Sequence, residues 1–258
     1  MTPALLARLQ AARAEKRPVV LATDLAGGAQ LLLPDDAGPD GLTEPVAKAL
    51  QDDRNSTVDI QGKTWFLHAY NPPLRLVVVG AVHIAQALVP MAAGLGYAVM
   101  VTDPRRSFAS DERFPGVVIS TDWPDEALDT WKPDSRTAIV TLTHDPKLDD
   151  PALDRALKSQ AFYIGALGSR KTHAARLERL RALGHDDAAM ARIRGPVGLN
   201  IGAVTAGEIA LSILAQIVAL AGSMVIPRRA MPITLGCNTC CTTSSRLAAQ
   251  ASCWRMAP

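Results

Sequence analysis

Cysteine is missing from most of this 258-residue chain: all four cysteines stand at or beyond position 237. A body that cannot form disulfides reads as a cytoplasmic protein and excludes a secreted disulfide scaffold. Excess charge is missing too. Lys and Arg total 27 against 25 for Asp and Glu, a net of +2, so nothing in the balance argues for a nucleic-acid partner. The amino terminus, MTPALLARLQAARAEKR, has no apolar stretch of signal-peptide length and reads as a surface helix. The run from Ile209 to Ile226 is uncharged, but Ser212, Gln216, Gly222 and Ser223 interrupt it and Pro227 ends it. It reads as a buried helix rather than a membrane span. There is no internal repeat and no Ser-His-Asp or Cys-His nucleophile context, so no catalytic residue is assigned. Cys237, Cys240 and Cys241 have C-x-x-C spacing, but only Cys253 remains as a fourth ligand, and no metal site is expected.

What is present is ordinary globular material, 48% hydrophobic and 20% charged, enough for a real core. Residues 1–71 read α-β-β-α-β-β: a helix from Pro3, strands VVLAT and QLLL, a short helix from Pro45, and a hairpin STVDI/TWFLHAY split at Gln61-Gly62. This is a small α+β domain, with a boundary at Asn71-Pro72-Pro73. From residue 72 to 227 strands and helices alternate. LRLVVVG, YAVMVTD, GVVIS, TAIVTLT and FYIGA read as strands of a buried, doubly wound parallel sheet. The expected fold is therefore α/β: a Rossmann-like domain preceded by the small α+β domain. Residues 228–258 look like a disordered, cysteine-containing tail.

The candidate site residues lie where strands give way to helices. The first turn, Gly80-Ala-Val-His-Ile-Ala85, keeps one glycine of the G-x-G-x-x-G dinucleotide pattern, and Asp103 ends the second strand where a ribose-binding acid would stand. Val82 replaces the glycine that lets a pyrophosphate approach, which argues against ordinary NAD(P) use. His83 at the helix start can donate to an anion. His144 follows the fourth strand, at an edge where such sheets bind ligands. Gly165, Gly168, Ser169, Arg170 and Lys171 form the best anion site: cations in a first helical turn oppose the helix dipole unless an anion is present. Farther along that helix Arg176, Arg179 and Arg181 are expected to face water, with Ala174, Leu177 and Leu180 inward. Gly198, Asn200 and Gly202 form a second glycine-spaced loop, before a capping box at Thr205 and Glu208.

These motifs resemble the XdhC/CoxI family of xanthine dehydrogenase accessory factors. The resemblance runs over roughly residues 72–220, through LVVVGAVHIAQAL, TDPRRSFASDERFPG, LTHDPKLDDPAL, AFYIGALGSRKTHAARLERL and IRGPVGLNIGAVTAGEIALSILAQIVA. It implies a protein that binds the molybdenum cofactor as cargo, assists its sulfuration and delivers it to a molybdenum hydroxylase apoenzyme, without turnover of its own. The cargo would be molybdopterin, as the mononucleotide or a dinucleotide. Its phosphate would meet Gly165 to Lys171, and its pterin edge His144 and Asn200. Implied partners are a xanthine dehydrogenase or carbon monoxide dehydrogenase type enzyme and a cysteine desulfurase; a homodimer stays open, and neither nucleic acid nor membrane is expected. The first turn, the short amino-terminal domain without the family's long glycine-rich motif and cysteine, and the tail all depart from the pattern. Two other readings stand beside this one: a nicotinamide-dependent oxidoreductase, and an interaction subunit with a ligand-free Rossmann domain.

Overall fold

The computed structural model describes residues 1–225. The tail with its four cysteines lies outside the described residues. Two sheets make up the described chain, and both belong to one compact unit.

The first sheet is antiparallel, in the order β2-β1-β4-β3. Its strands are β1 (Val19–Asp24), β2 (Gln30–Leu33), β3 (Ser56–Ile60) and β4 (Lys63–Tyr70). Strand alternation sends Val20, Ala22, Trp65 and Leu67 to one face, where α2 (Thr43–Gln51) covers them with Val46 and Ala49. Val19, Leu21 and Leu32 go to the other face, under Leu5, Leu9 and Ala12 of α1 (Pro3–Ala14). The β3–β4 hairpin turns at Gln61 (φ 51°) and Gly62 (φ 76°), two successive left-handed residues as a tight hairpin requires.

The second sheet has six parallel strands in the order β10-β9-β8-β5-β6-β7. They are β5 (Arg75–Val79), β6 (Ala98–Thr102), β7 (Val118–Ser120), β8 (Thr137–Thr141), β9 (Tyr163–Ala166) and β10 (Ile193–Arg194). This is the doubly wound order, with the reversal between β5 and β8. Helices α3 (His83–Gly94) and α8 (Ala206–Val225) cover one face. On the other lie α4 (Pro124–Trp131), α5 (Pro146–Lys158), α6 (Arg170–Ala182) and α7 (Asp187–Met190). The strands are apolar on both faces because both are covered. Helices α4 and α7 and the two-residue β10 have no counterpart in the sequence reading. Their apolar periods are too short to register, although Pro124, Asp125 and Glu126 are the residues a helix start favours.

The two sheets meet where the chain crosses from β4 to β5. The Arg136 guanidinium donates to the Pro72 carbonyl and to Asp53, each at 2.9 Å, and Asn71 donates to the Leu50 carbonyl at 2.8 Å. Among the described residues no helix is long and apolar enough to cross a membrane.

One expectation is corrected on α6. Arg176 does not face water: it is 1% exposed, while Ala174 is exposed. At 100° per residue, positions 173, 176, 177 and 180 share the inward stripe. Asp149 on the neighbouring α5 supplies the charge that makes a buried arginine tolerable.

Candidate functional site

The strand order reverses between β5 and β8, and the carboxyl edge at such a switch point is where doubly wound sheets bind ligands; the loops after β5, β6, β8, β9 and β10 lie along that edge. The loop after β5 is held from both sides. The Ala81 N–H donates to Asp103 at 2.9 Å, and its carbonyl accepts from Arg113, also at 2.9 Å. Gly80 has φ 105°, and a side chain there would begin 2.4 Å from the Thr143 methyl. Only glycine takes that backbone without strain while letting the β5 and β8 loops touch.

Helix α3 then begins at Val82, an extended N-cap that makes no side-chain hydrogen bond. The other helix starts along that edge differ. Asp145 caps α5 by accepting from Lys147, Ser169 caps α6 by accepting from Thr172, and Thr205 with Glu208 caps α8 reciprocally. The capping box expected at Thr205 and Glu208 is therefore formed. Among the described residues no side chain caps the first-turn N–H groups of α3, at the positive end of the helix.

Asp103 directly follows β6 and is completely buried. Its oxygens accept from Ala81 N–H, Arg105 N–H, Arg105 Nε and Arg105 Nη2, at 2.7–3.0 Å. Burial pushes this carboxyl up, and the hydrogen bonds from Arg105 and Ala81 outweigh it, so it stays below the usual carboxylate range. With all four contacts internal, Asp103 positions the β5 loop and presents no free oxygen to a ribose. Arg105 is what this strand end offers outward: half-exposed, with its guanidinium 4.5 Å over the Phe108 ring.

The other expected residues divide by exposure. His83, His144, Ser169, Arg170, Lys171, Asn200 and Gly202 are exposed along the carboxyl edge. His144 has φ 63°, an uncommon conformation for a non-glycine residue, and lies in the turn between β8 and α5. Arg170 and Lys171 open α6, and neither pairs with an acid among the described residues. Gly168 has φ 144° in the turn just before them. Gly165 and Gly198 belong to the packing instead. A side chain on Gly165, inside β9, would meet Val197 at 2.6 Å and the Tyr163 ring at 2.8 Å; one on Gly198 would meet Ser212 of α8 at 2.3 Å. Gly198 is also clamped by Gln216, which accepts from its N–H and donates to its carbonyl. The sequence reading missed Arg105, Arg113, Asp149 and Arg176, and of these only Arg105, two residues from Asp103, carried a local signal.

A separate apolar cleft of about 370 Å³ lies at the opposite, amino-terminal ends of the strands, lined by Leu74, Tyr97 and Phe162. Its charged groups, Asp53 and Arg136, are spent on each other. Open N–H groups and unpaired cations occur at the carboxyl edge, so that edge is the candidate site.

Comparison with known proteins gives the family of this fold. Residues 76–217 match the XdhC Rossmann domain. The molybdenum cofactor insertion chaperone PaoD of Escherichia coli is 34% identical over 148 residues, 57% of this chain and 40% of PaoD. A probable xanthine dehydrogenase subunit of Bacillus subtilis is 31% identical over 159 residues, 61% of this chain and 46% of that protein. The uncharacterised protein YqeB of Escherichia coli is 36% identical over 156 residues, 58% of this chain and 28% of its own length. The chain thus spans less than half the length of each of these relatives. A crystal structure of a xanthine dehydrogenase from Bacillus halodurans shares the fold, with a TM-score of 0.67 at 22% identity over 87% of this chain and 71% of that one. The family match covers more than half of the chain, and the Rossmann strand order is on the molecule itself: the protein belongs to the XdhC Rossmann domain family.

Proposed function

We propose that this protein binds the molybdenum cofactor at the carboxyl edge of its parallel sheet and assists its insertion into a molybdenum hydroxylase. The observation that carries the reading is the uncapped start of α3, on a loop fixed by Asp103 and Arg113, with the unpaired cations Arg170 and Lys171 two strands away. Backbone N–H groups at a helix start and nearby guanidinium and ammonium groups suit the phosphate of molybdopterin, or the pyrophosphate of its dinucleotide form. His144 and Asn200 can meet the hydrogen-bonding edge of the pterin. His83 can donate to the phosphate, and Gly168, Ser169 and Gly202 shape the turns that flank it. The cofactor is cargo, and no catalytic residue is assigned. The name of PaoD supports cofactor insertion as the role.

A nicotinamide cofactor fits less well. Val82 occupies the place where a dinucleotide fold needs a second glycine, and the Asp103 carboxylate is committed to Arg105 and Ala81. In this reading a cysteine desulfurase supplies the terminal sulfur, the apoenzyme of a xanthine dehydrogenase or carbon monoxide dehydrogenase type hydroxylase receives the cofactor, and the exchange takes place in the cytoplasm.

The test is co-expression with such a hydroxylase in a host that makes the cofactor, purification of this chain, and assay of bound molybdenum and pterin. Near-stoichiometric pterin is expected. A chain free of both metal and pterin contradicts the reading and favours an interaction subunit with a ligand-free Rossmann domain.

A further inference from the structure

Arg176 and Asp149 form an ion pair inside the protein, each side chain almost wholly buried. The Arg176 Nη2 donates to Asp149 at 3.3 Å and to the Leu167 carbonyl at 2.9 Å. The other Asp149 oxygen accepts from the Thr143 hydroxyl at 2.6 Å. The Thr143 methyl is the group that packs on Gly80. A chain of direct contacts therefore runs Gly80, Thr143, Asp149, Arg176, Leu167, through the turns that follow β5, β8 and β9. Arg176 also lies under the Gly168 turn, its Nη1 3.9 Å from where a side chain on Gly168 would begin.

As a stabiliser this arrangement is poor. Two buried charges lose their hydration, and apolar side chains of similar volume commonly serve a fold as well or better. The Arg176 Nε and Nη1, the Thr141 hydroxyl and the His173 Nδ1 are buried without a partner among the described residues, which adds to the cost. What the pair does that apolar residues cannot is hold three loops at once by directed hydrogen bonds.

We infer that Arg176 is a positioning residue for the candidate site. With Asp149 and Thr143 it sets the spacing of the β5, β8 and β9 turns, and so the affinity for the cofactor rather than the stability of the fold. This rests on the reading of the carboxyl edge as the cofactor site.

The experiment uses the full chain with Arg176→Met and Asp149→Leu combined, which removes both charges together, and Thr143→Val as a second, milder variant. Three quantities are read: melting temperature, pterin retained after co-expression, and hydrogen exchange at the Leu142 and Leu167 amides. Those amides donate to the Val79 and Thr141 carbonyls at the roots of the two turns. The expected result for the double variant is a melting temperature within about 4 °C of the parent, exchange at both amides at least tenfold faster, and pterin retention down at least tenfold. Thr143→Val should shift exchange and retention in the same direction by a smaller factor. Parent-like exchange and retention in both variants would overturn the inference. So would a double variant that fails to fold, since the pair would then be serving stability. If the parent chain holds no pterin, the cofactor reading fails by itself, and the exchange rates still decide whether the pair positions the turns.

Discussion

The two sides of the switch point meet charge in opposite ways. On the β5–β6 side Asp103 and Arg113 grip the Ala81 peptide, the half-exposed Arg105 neutralises Asp103, and the start of α3 is left open. On the β8–β9 side the helix starts are closed by Asp145 and Ser169, while Arg170 and Lys171 are exposed and pair with no acid among the described residues. One side offers an anion backbone donors on a loop held by hydrogen bonds, and the other offers exposed charge. Rigid donors favour shape and cost little to organise, whereas exposed cations act over distance and are screened by salt. In the proposed reading, an anionic ligand spanning both sides would be bound for fit on one and drawn in by the other.

The difference predicts unequal responses to mutation. The largest effect should come from Gly80→Ala, which puts a side chain into the contact between the two sides at a positive φ. It should cost about 3 kcal/mol, from overpacking plus backbone strain, seen as a lower urea midpoint with an unchanged slope. An unaltered midpoint would mean that the β5 and β8 loops are not in tight contact. Asp103→Asn comes next, at about 2 kcal/mol near pH 7 from weakened charge-assisted hydrogen bonds. The sign follows from a carboxyl held below its ordinary value. Its contribution is complete above the unfolded-state pKa of about 4 and is lost as pH falls through the lower folded value. The gap between variant and parent should therefore shrink in acid, and a gap that is constant with pH contradicts the assignment. The smallest effect comes from Val82→Ser. The hydroxyl supplies the missing cap, worth about 1 kcal/mol, while the lost methyl groups give up part of the packing of Val82 on the core, so the melting temperature should change little. Because the new hydroxyl occupies an open N–H, pterin retention should fall. Unchanged retention would show that the start of α3 takes no part in binding.

Much of this fold is legible in single stretches of sequence. The all-apolar run Leu76–Val79 can only be a strand covered on both faces, and Gln61-Gly62 between two alternating segments announces a hairpin. Thr205 and Glu208 carry their cap in their spacing. The candidate site is legible only in part, because its decisive contacts are distant in the chain. Arg176 looks like Arg179 and Arg181 until Asp149, 27 residues away, is brought beside it. Asp103 has the look of a ribose ligand until the Ala81 N–H, 22 residues back, claims it. Gly165 and Gly198 show the same limit: glycine spacing suggests a ligand loop, and only the neighbours Val197, Tyr163 and Ser212 reveal that the space is needed for packing.

The most direct test of the central claim compares pterin retention in two charge reversals, Arg170→Glu at the carboxyl edge and Lys16→Glu after α1, far along the chain from the loops of that edge. Both residues are exposed, and each change should alter stability by no more than about 0.5 kcal/mol. At least a tenfold loss of pterin is expected for Arg170→Glu, about 1.4 kcal/mol, and none for Lys16→Glu. Equal retention in the two variants would contradict it.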